Sequence, residues 1–301
     1  SYTFSSTAAA FLKFGFKLVF CEIDPKNMMM NIDDAISRVT ERTAAIVPVH
    51  YAGLSLELSE LKDFCNKEDI YLIEDAAQSY GCFFDTKAVG TSGDLSCFSF
   101  HETKNLHAGL AGALIVNNDK FKKRALHIAE RGTNREEVLR GIKDKYSWVE
   151  IGGSYYPTEI QAAFLSAQLE SFDESIKKRK QIFEFYENTL SKLDSKETYI
   201  TKTLNGYKSN YHAFWIIFES IDCCEFVRKK LFAKDIPAYI GYVPLHSSKV
   251  GKSIGYKADD LKLTEEYSQR LLRLPLHTDI SLDDAEYVTS SILSALDHYD
   301  K

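Results

Sequence analysis

Phe98-Ser99-Phe100-His101-Glu102-Thr103-Lys104-Asn105 is the stretch on which the fold turns. The apolar run over 95–100 reads as a buried strand, and it delivers a hydroxyl and then a lysine into a short polar turn. A second run of the same kind, Ile70-Tyr71-Leu72-Ile73, ends in Glu74-Asp75-Ala76-Ala77-Gln78. Ligands of open α/β sheets lie beyond the carboxyl ends of the strands. Two buried strands that end in an acid and a lysine therefore predict one shared pocket. A lysine held among apolar residues loses proton affinity, which makes its amine available for a Schiff base. Taken singly, the two residues would also suit a surface lysine and a helix-capping aspartate.

Around these strands the pattern alternates. A helix is predicted over 6–14 and a strand over 17–20. Asn31-Ile32-Asp33-Asp34 places a capping Asn before acids, the start of a helix running to about 39. A buried strand follows over 44–47. Apolar residues spaced by three and four (Leu58, Leu61, Phe64, Cys65) predict an amphipathic helix over 56–66. A strand over 113–116 and a basic amphipathic helix over 119–130 come next. This alternation predicts an α/β fold with a mainly parallel sheet between helical layers. Residues 132–156 have no clear period and read as a long functional loop. Thr158-Glu159-Ile160-Gln161 is a capping box, from which one long helix is expected to about 193. Beyond it the pattern becomes α+β, with strands over 213–218 and 237–242 and helices over 224–233, 263–272 and 282–299. The expected division is a large domain over 1–175 and a smaller α+β domain over 176–301.

Composition narrows the function classes. At 301 residues the chain can bury one large core or two modest ones. With 45% hydrophobic and 27% charged residues it reads as an ordinary globular protein. A net charge of -6 without basic clusters argues against a nucleic-acid partner. No apolar stretch approaches membrane-spanning length, so no membrane partner is expected. Cys21, Cys65, Cys82, Cys97, Cys223 and Cys224 show no CxxC spacing. They predict buried free thiols, a cytoplasmic setting and no metal site. No GxGxxG opens a βα unit, which removes a dinucleotide-dependent dehydrogenase.

Taken in order, Glu74-Asp75-Ala76-Ala77-Gln78, Gly90-Thr91-Ser92-Gly93-Asp94, Phe98-Ser99-Phe100-His101 and Lys104-Asn105 resemble the DegT/DnrJ/EryC1/StrS family of sugar aminotransferases. The similarity runs from Ser1-Tyr2-Thr3-Phe4 almost to the C-terminus. It implies a fold type I transferase that depends on pyridoxal 5'-phosphate and acts on nucleotide-linked keto sugars, with glutamate as the amino donor. In such enzymes a lysine carries the cofactor and an acid tunes its pyridine ring. By this resemblance Lys104 holds the cofactor and shuttles the proton, and Asp75 pairs with the pyridine nitrogen. Gln78 meets the ring hydroxyl, Ser99 binds the phosphate and Phe4 stacks on the ring. Ser154 stands where many members place an asparagine that reaches the neighbouring subunit's phosphate, which goes with a homodimer. His101, His246 in Tyr242-Val243-Pro244-Leu245-His246, and Arg135 beside Arg131 are candidate substrate contacts, arginine being suited to a nucleotide diphosphate. His50 and His277 read as structural.

Val47-Pro48-Val49-His50-Tyr51-Ala52-Gly53, Gly132-Thr133-Asn134-Arg135 and Lys145-Tyr146-Ser147-Trp148 are most similar to one branch of the family. That branch transaminates dTDP-4-keto-6-deoxy-D-glucose to a 4-amino-4,6-dideoxygalactose nucleotide. The sequence also departs from the family. Relatives carry several dozen further residues ahead of the position of Ser1, so the resemblance implies a missing N-terminal segment, to which dimerisation is tied. Their Gly-Glu-Gly-Gly after the lysine is here Leu110-Ala111-Gly112-Ala113. These departures keep open a relative that folds without turnover. A sugar dehydratase of the same family is the other alternative. Its Schiff-base lysine is typically replaced by histidine, so Lys104 speaks against it.

Overall fold

The computed structural model describes residues 1–195, 197–203 and 205–299, so the last two positions of the domain expected over 176–301 lie outside it. In chain order the first part holds α1 (Ser5–Leu12), α2 (Ile32–Ser37), β1 (Ala45–Ile46), α3 (Ser59–Lys67), β2 (Tyr71–Asp75), β3 (Phe83–Phe84) and β4 (Lys87–Ala88). It continues with β5 (Leu95–Ser99), β6 (Gly112–Val116), α4 (Asp119–Ala129), α5 (Arg135–Leu139), α6 (Glu159–Glu170) and α7 (Phe172–Leu190). The remainder is β7 (Tyr199–Ile200), β8 (Tyr207–Lys208), β9 (Phe214–Ile217), α8 (Ile221–Phe232), β10 (Tyr239–Ile240), α9 (Lys249–Ser253), α10 (Lys262–Arg270), β11 (Leu271–Leu274) and α11 (Leu282–Tyr299).

The first sheet has the order β1-β2-β5-β6, with β1, β2 and β5 parallel and β6 antiparallel at the edge. The register sets Asp75 opposite Cys97, and a bridge joins Val49 to Asp75. The carboxyl ends of the three parallel strands therefore meet at Val49, Asp75 and Ser99. Leu61 and Cys65 of α3 pack with Ile46 and Leu72 against one face of this sheet. The predicted cap of α2 is formed, with the Asn31 side chain accepting from the Asp34 N–H at 2.9 Å.

The second sheet, β10-β11-β9-β7, is antiparallel throughout. All four residues of β9 are buried because both of its faces are covered. On one side Phe214 and Ile216 pack with Phe183, Val227 and Ile292 of α7, α8 and α11. On the other, Trp215 and Ile217 pack with Tyr2, Met28, Tyr51 and Leu271. Fully burying such a side chain contributes roughly 1.5–3 kcal/mol. The second cluster thus ties the N-terminal segment to the C-terminal sheet. A third small sheet, β4-β3-β8, adds another link.

Three elements differ from the sequence reading. Residues 17–20 are not a strand: the segment has no ladder partner, and Tyr256 meets its backbone by accepting from Phe20 N–H at 3.0 Å and donating to Leu18 O at 3.1 Å. The expected helix to 193 is broken at Ser171, where Phe172 turns in to pack on Tyr80 at 5.3 Å. The helix expected over 263–272 stops at Arg270, because Leu271–Leu274 pairs with β9 and buries three leucines. The loop over 132–156 contains the short α5 and is otherwise irregular, apart from bridges at Thr133–Trp148 and Glu130–Ser154. Cys21, Cys65, Cys82, Cys223 and Cys224 are buried as expected, whereas Cys97 on β5 is exposed. Among the described residues no helix is long and apolar enough to cross a membrane, and no group of three or more His, Cys, Asp or Glu could hold a metal ion.

Candidate active site

β2 ends in two acids that point to opposite faces, as successive strand residues must. Glu74 is buried and accepts from the N–H groups of Gly90, Ser92 and Gly93 at 2.9, 2.8 and 2.6 Å. It also accepts from His50 Nε2 at 3.0 Å. His50 Nδ1 in turn accepts the Leu56 N–H at 3.0 Å, so its ring is neutral and carries its proton on Nε2. Burial pushes the Glu74 carboxyl up, but these donors outweigh it and leave the group below its ordinary range. Gly93 has no room for a side chain, since a Cβ would stand 2.7 Å from Leu72 O.

Asp75 faces the pocket. Its Oδ2 accepts from Thr7 Oγ1 at 2.6 Å and its Oδ1 from the Ala77 N–H at 3.1 Å. Three residues on, Gln78 Oε1 accepts the Ala52 N–H at 2.8 Å while its Nε2 donates to the Tyr242 hydroxyl at 2.9 Å. The left-handed turn at Ala52-Gly53 lets the chain pass close to Asn210, where a Cβ on Gly53 would lie 2.3 Å from Oδ1. Asn210 donates to Gln78 O at 2.9 Å and Tyr80 O at 3.0 Å, which holds the Gln78 turn in place.

Lys104 sits in the turn after β5, closed by its own N–H to His101 O at 2.9 Å. The Phe100 and Glu102 amides bond to Ala111 O and Gly109 O across the loop at 2.9 and 2.8 Å. The Lys104 amine makes no hydrogen bond or ion pair among the described residues. Burial lowers its proton affinity below that of an ordinary lysine; the Asp75 charge pulls the other way, and Arg273 adds to the lowering. Ser99 Oγ, at the strand end, accepts the His101 N–H at 3.3 Å. Asn105 donates to Asn210 O at 2.6 Å, which turns its carbonyl oxygen to His212 Nδ1 at 3.0 Å. Burial, then Arg273, Lys104 and Arg179, drive His212 well below its usual value. The ring is therefore neutral, with its proton on Nδ1 and a bare lone pair on Nε2.

The opposite wall is aromatic. Tyr2 lies edge-on to Tyr51 and Tyr242 at 5.3 and 5.6 Å between centroids. Phe4 caps the start of α1 with its ring 60% exposed, 6.4 Å from Tyr242. Phe4, Asp75, Gln78, Ser99 and Lys104 are thus gathered around the three strand ends and the start of α1. His101 stands in the same turn, its Nδ1 3.0 Å from Thr103 Oγ1.

The other candidates are not at this place. His246 is 0% exposed, with Nδ1 2.8 Å from Ser1 Oγ and Nε2 3.2 Å from Ala258 O, so its ring packs the chain and offers nothing to a substrate. That expectation is corrected. Arg131 and Arg135 both turn to Glu130, at 3.0 and 3.4 Å, and exposed Ser154 is bridged to the same Glu130. These three form a separate group on the long loop. Conversely, the sequence did not reveal Thr7, Tyr242 and His212 as the partners of Asp75, Gln78 and Asn105, or Arg273 as a charge acting on the lysine. A cation inside the apolar run Leu271-Leu272-Arg273-Leu274 was the one signal that could have pointed to the last of these.

The residues present suit pyridoxal phosphate. The lysine amine is unpartnered and held at low proton affinity, which is what covalent capture of an aldehyde needs. The Asp75 carboxyl, held by Thr7 and Ala77, stands at the neighbouring strand end, and the exposed Phe4 ring is available as a stacking face. The Ser99 hydroxyl has a proton left to give to a phosphate.

A model of the DegT/DnrJ/EryC1/StrS aminotransferase family matches residues 1–293. An uncharacterized protein of Methanocaldococcus jannaschii is 30% identical over 300 residues, which is 97% of this chain and 77% of that protein. The dTDP-4-dehydro-2,3,6-trideoxy-D-glucose 4-aminotransferase of Saccharopolyspora spinosa is 30% identical over 308 residues, covering 99% of this chain and 77% of the relative. Among solved structures, Helicobacter pylori PseC, an aminotransferase of pseudaminic acid biosynthesis, superimposes with a TM-score of 0.89 at 23% identity. That superposition covers 99% of this chain and 78% of PseC, and it supports the fold type I architecture. The match over nearly all of the chain and the lysine, acid and aromatic residues gathered at the strand ends lead to one conclusion: this chain belongs to the DegT/DnrJ/EryC1/StrS family of pyridoxal phosphate-dependent sugar aminotransferases.

Proposed function

We propose that the chain moves an amino group from glutamate to C4 of a nucleotide-linked 4-keto-6-deoxy sugar, with dTDP-4-keto-6-deoxy-D-glucose as the first candidate. The observation that carries the chemistry is the unpartnered, low-affinity amine of Lys104 facing Asp75. The relative that acts at C4 of a dTDP sugar supports the sugar position. Relatives named for GDP and UDP sugars make the nucleotide the part to be tested. When bound, the cofactor ring supplies an electron sink. Lys104 holds it and moves a proton at the sugar carbon, and Asp75, fixed by Thr7, pairs with the pyridine nitrogen. Gln78, braced by Tyr242, meets the ring hydroxyl; Ser99 takes the phosphate and Phe4 covers one ring face. His101 at the rim and Arg135 on the long loop are offered to the sugar nucleotide.

The proposal includes the two-domain division near 175 and a cytoplasmic homodimer in which Ser154 serves the partner's cofactor. Helix α6 supports the dimer: it carries Ile160, Phe164 and Leu169 and buries none of its residues. The test is a visible spectrum of the purified protein with pyridoxal phosphate, followed by glutamate and then dTDP-, GDP- and UDP-linked 4-keto sugars. The expected result is a cofactor band that glutamate converts and the dTDP sugar restores. Restoration by the GDP or UDP sugar alone would discard the dTDP assignment, and a protein with no cofactor band would discard the function.

A further inference from the structure

Tyr242 carries a hydroxyl proton that no acceptor among the described residues takes. The residue follows β10, and its neighbours fix its place. Gly241 has no room for a side chain, since a Cβ there would collide with the Tyr2 hydroxyl. That hydroxyl is in turn 3.2 Å from the hydroxyl of Tyr51. The Tyr242 ring lies 5.6 and 6.1 Å from the rings of Tyr2 and Tyr51 and 6.4 Å from that of Phe4. Gln78 sets the direction of the hydrogen bond at its tip. The Gln78 carbonyl oxygen must face the Ala52 N–H, so it is the amide nitrogen that meets Tyr242, at 2.9 Å. The Tyr242 oxygen therefore accepts, and its own proton is turned elsewhere. Burial first, and then Tyr51, raise the proton affinity of this phenol, so the proton stays in place at neutral pH. A half-buried donor held in this way is left for an acceptor that a ligand brings.

The chemistry of the cofactor selects the acceptor. Pyridoxal phosphate bound to a lysine carries a negatively charged phenolic oxygen on its ring. Gln78 is the residue read above as meeting that oxygen, and its amide nitrogen keeps a second N–H beyond the one given to Tyr242. An anionic oxygen has lone pairs for two donors and binds them more strongly than a neutral one does. A sugar hydroxyl is the weaker rival, being uncharged. We propose that Tyr242 is a second hydrogen-bond donor to the phenolic oxygen of pyridoxal phosphate, beside Gln78. This rests on the aminotransferase reading above.

The test compares wild type with Tyr242→Phe, which keeps the ring and its packing. Two probes are bound to each cofactor-free protein: pyridoxal phosphate and its 3-O-methyl ether, whose ring oxygen has no charge. Tyr242→Phe is expected to weaken pyridoxal phosphate by roughly tenfold or more and the ether by far less, at an unchanged melting temperature. In the loaded protein the pH midpoint of the visible cofactor band should rise by about one unit, because the charged oxygen of the high-pH form loses a donor. Equal weakening of the two probes, or a midpoint that does not move, overturns the donor and leaves the aminotransferase standing. A loss confined to KM for the sugar nucleotide gives the proton to the sugar and overturns it as well. A wild-type protein with no cofactor band overturns both.

Discussion

Glu74 and Asp75 are neighbours in one strand, and the two faces on which they lie are built for different ends. The Glu74 side is closed: the carboxylate has His50 and three backbone N–H groups as donors, and His50 is itself held by Leu56. The Asp75 side is left open: one hydroxyl and one amide hold the acid, and the lysine of the pocket has no partner among the described residues. A satisfied buried acid makes a turn rigid, whereas an unsatisfied cation near a second acid leaves bonds for a ligand to complete. A carboxyl group thus braces the fold on one face and lines the pocket on the other, and the partners decide which.

Substitutions on either face should separate these roles. Lys104→Ala is expected to lower kcat by at least about 10^4-fold while the far-ultraviolet circular dichroism stays that of wild type. It should also alter stability. Folding lowers the lysine's proton affinity, so Lys104 costs stability at pH values below the folded value and regains it as pH rises toward the ordinary lysine value. The melting temperature of the cofactor-free Lys104→Ala protein should accordingly exceed that of wild type at neutral pH and converge with it in alkali. A lower melting temperature would mean that the amine is braced rather than kept open.

Glu74→Ala should act in the opposite sense. It strands the buried donors of the closed face, at about 3–4 kcal/mol in urea unfolding, with cofactor uptake lost only as the fold is lost. The folded Glu74 carboxyl is lowered, so its contribution is present above the ordinary carboxylate value and disappears as pH falls through the folded one. Wild type should show this acid-side loss and Glu74→Ala should not. The smallest effect is expected from Thr7→Val, which removes one of the two donors to Asp75 and should lower kcat/KM roughly fivefold, about 1 kcal/mol, without a change in unfolding. A stability loss as large as that of Glu74→Ala would erase the distinction between the faces.

What could be read from the sequence follows the same division by distance along the chain. The strand ends at Asp75 and Lys104, the caps at Asn31 and Thr158 and the amphipathic α3 are each specified within a few residues. Short-range hydrogen bonds and spacing of apolar residues suffice to set them. Residues 17–20 read as a strand because they are apolar, but a strand exists only where a neighbour supplies the other half of its ladder. Leu271 and Leu272 read as the end of a helix, yet the edge of β9 was available and took Leu271–Leu274 as a strand. His246 stood in a family motif and proved to be packing, since Ser1 and Ala258 occupy both of its ring nitrogens.

The sequence by itself determined the α/β class, the acid and the lysine at adjacent strand ends and the chemistry they imply, because a parallel strand and its terminal turn are local patterns. It took the tertiary structure to show that Thr7 holds Asp75, that Tyr242 braces Gln78 and that His212 bonds to Asn105, the residue next to Lys104. Those partners come from segments far apart in the chain, and it is burial against a common sheet that brings them within reach of one another.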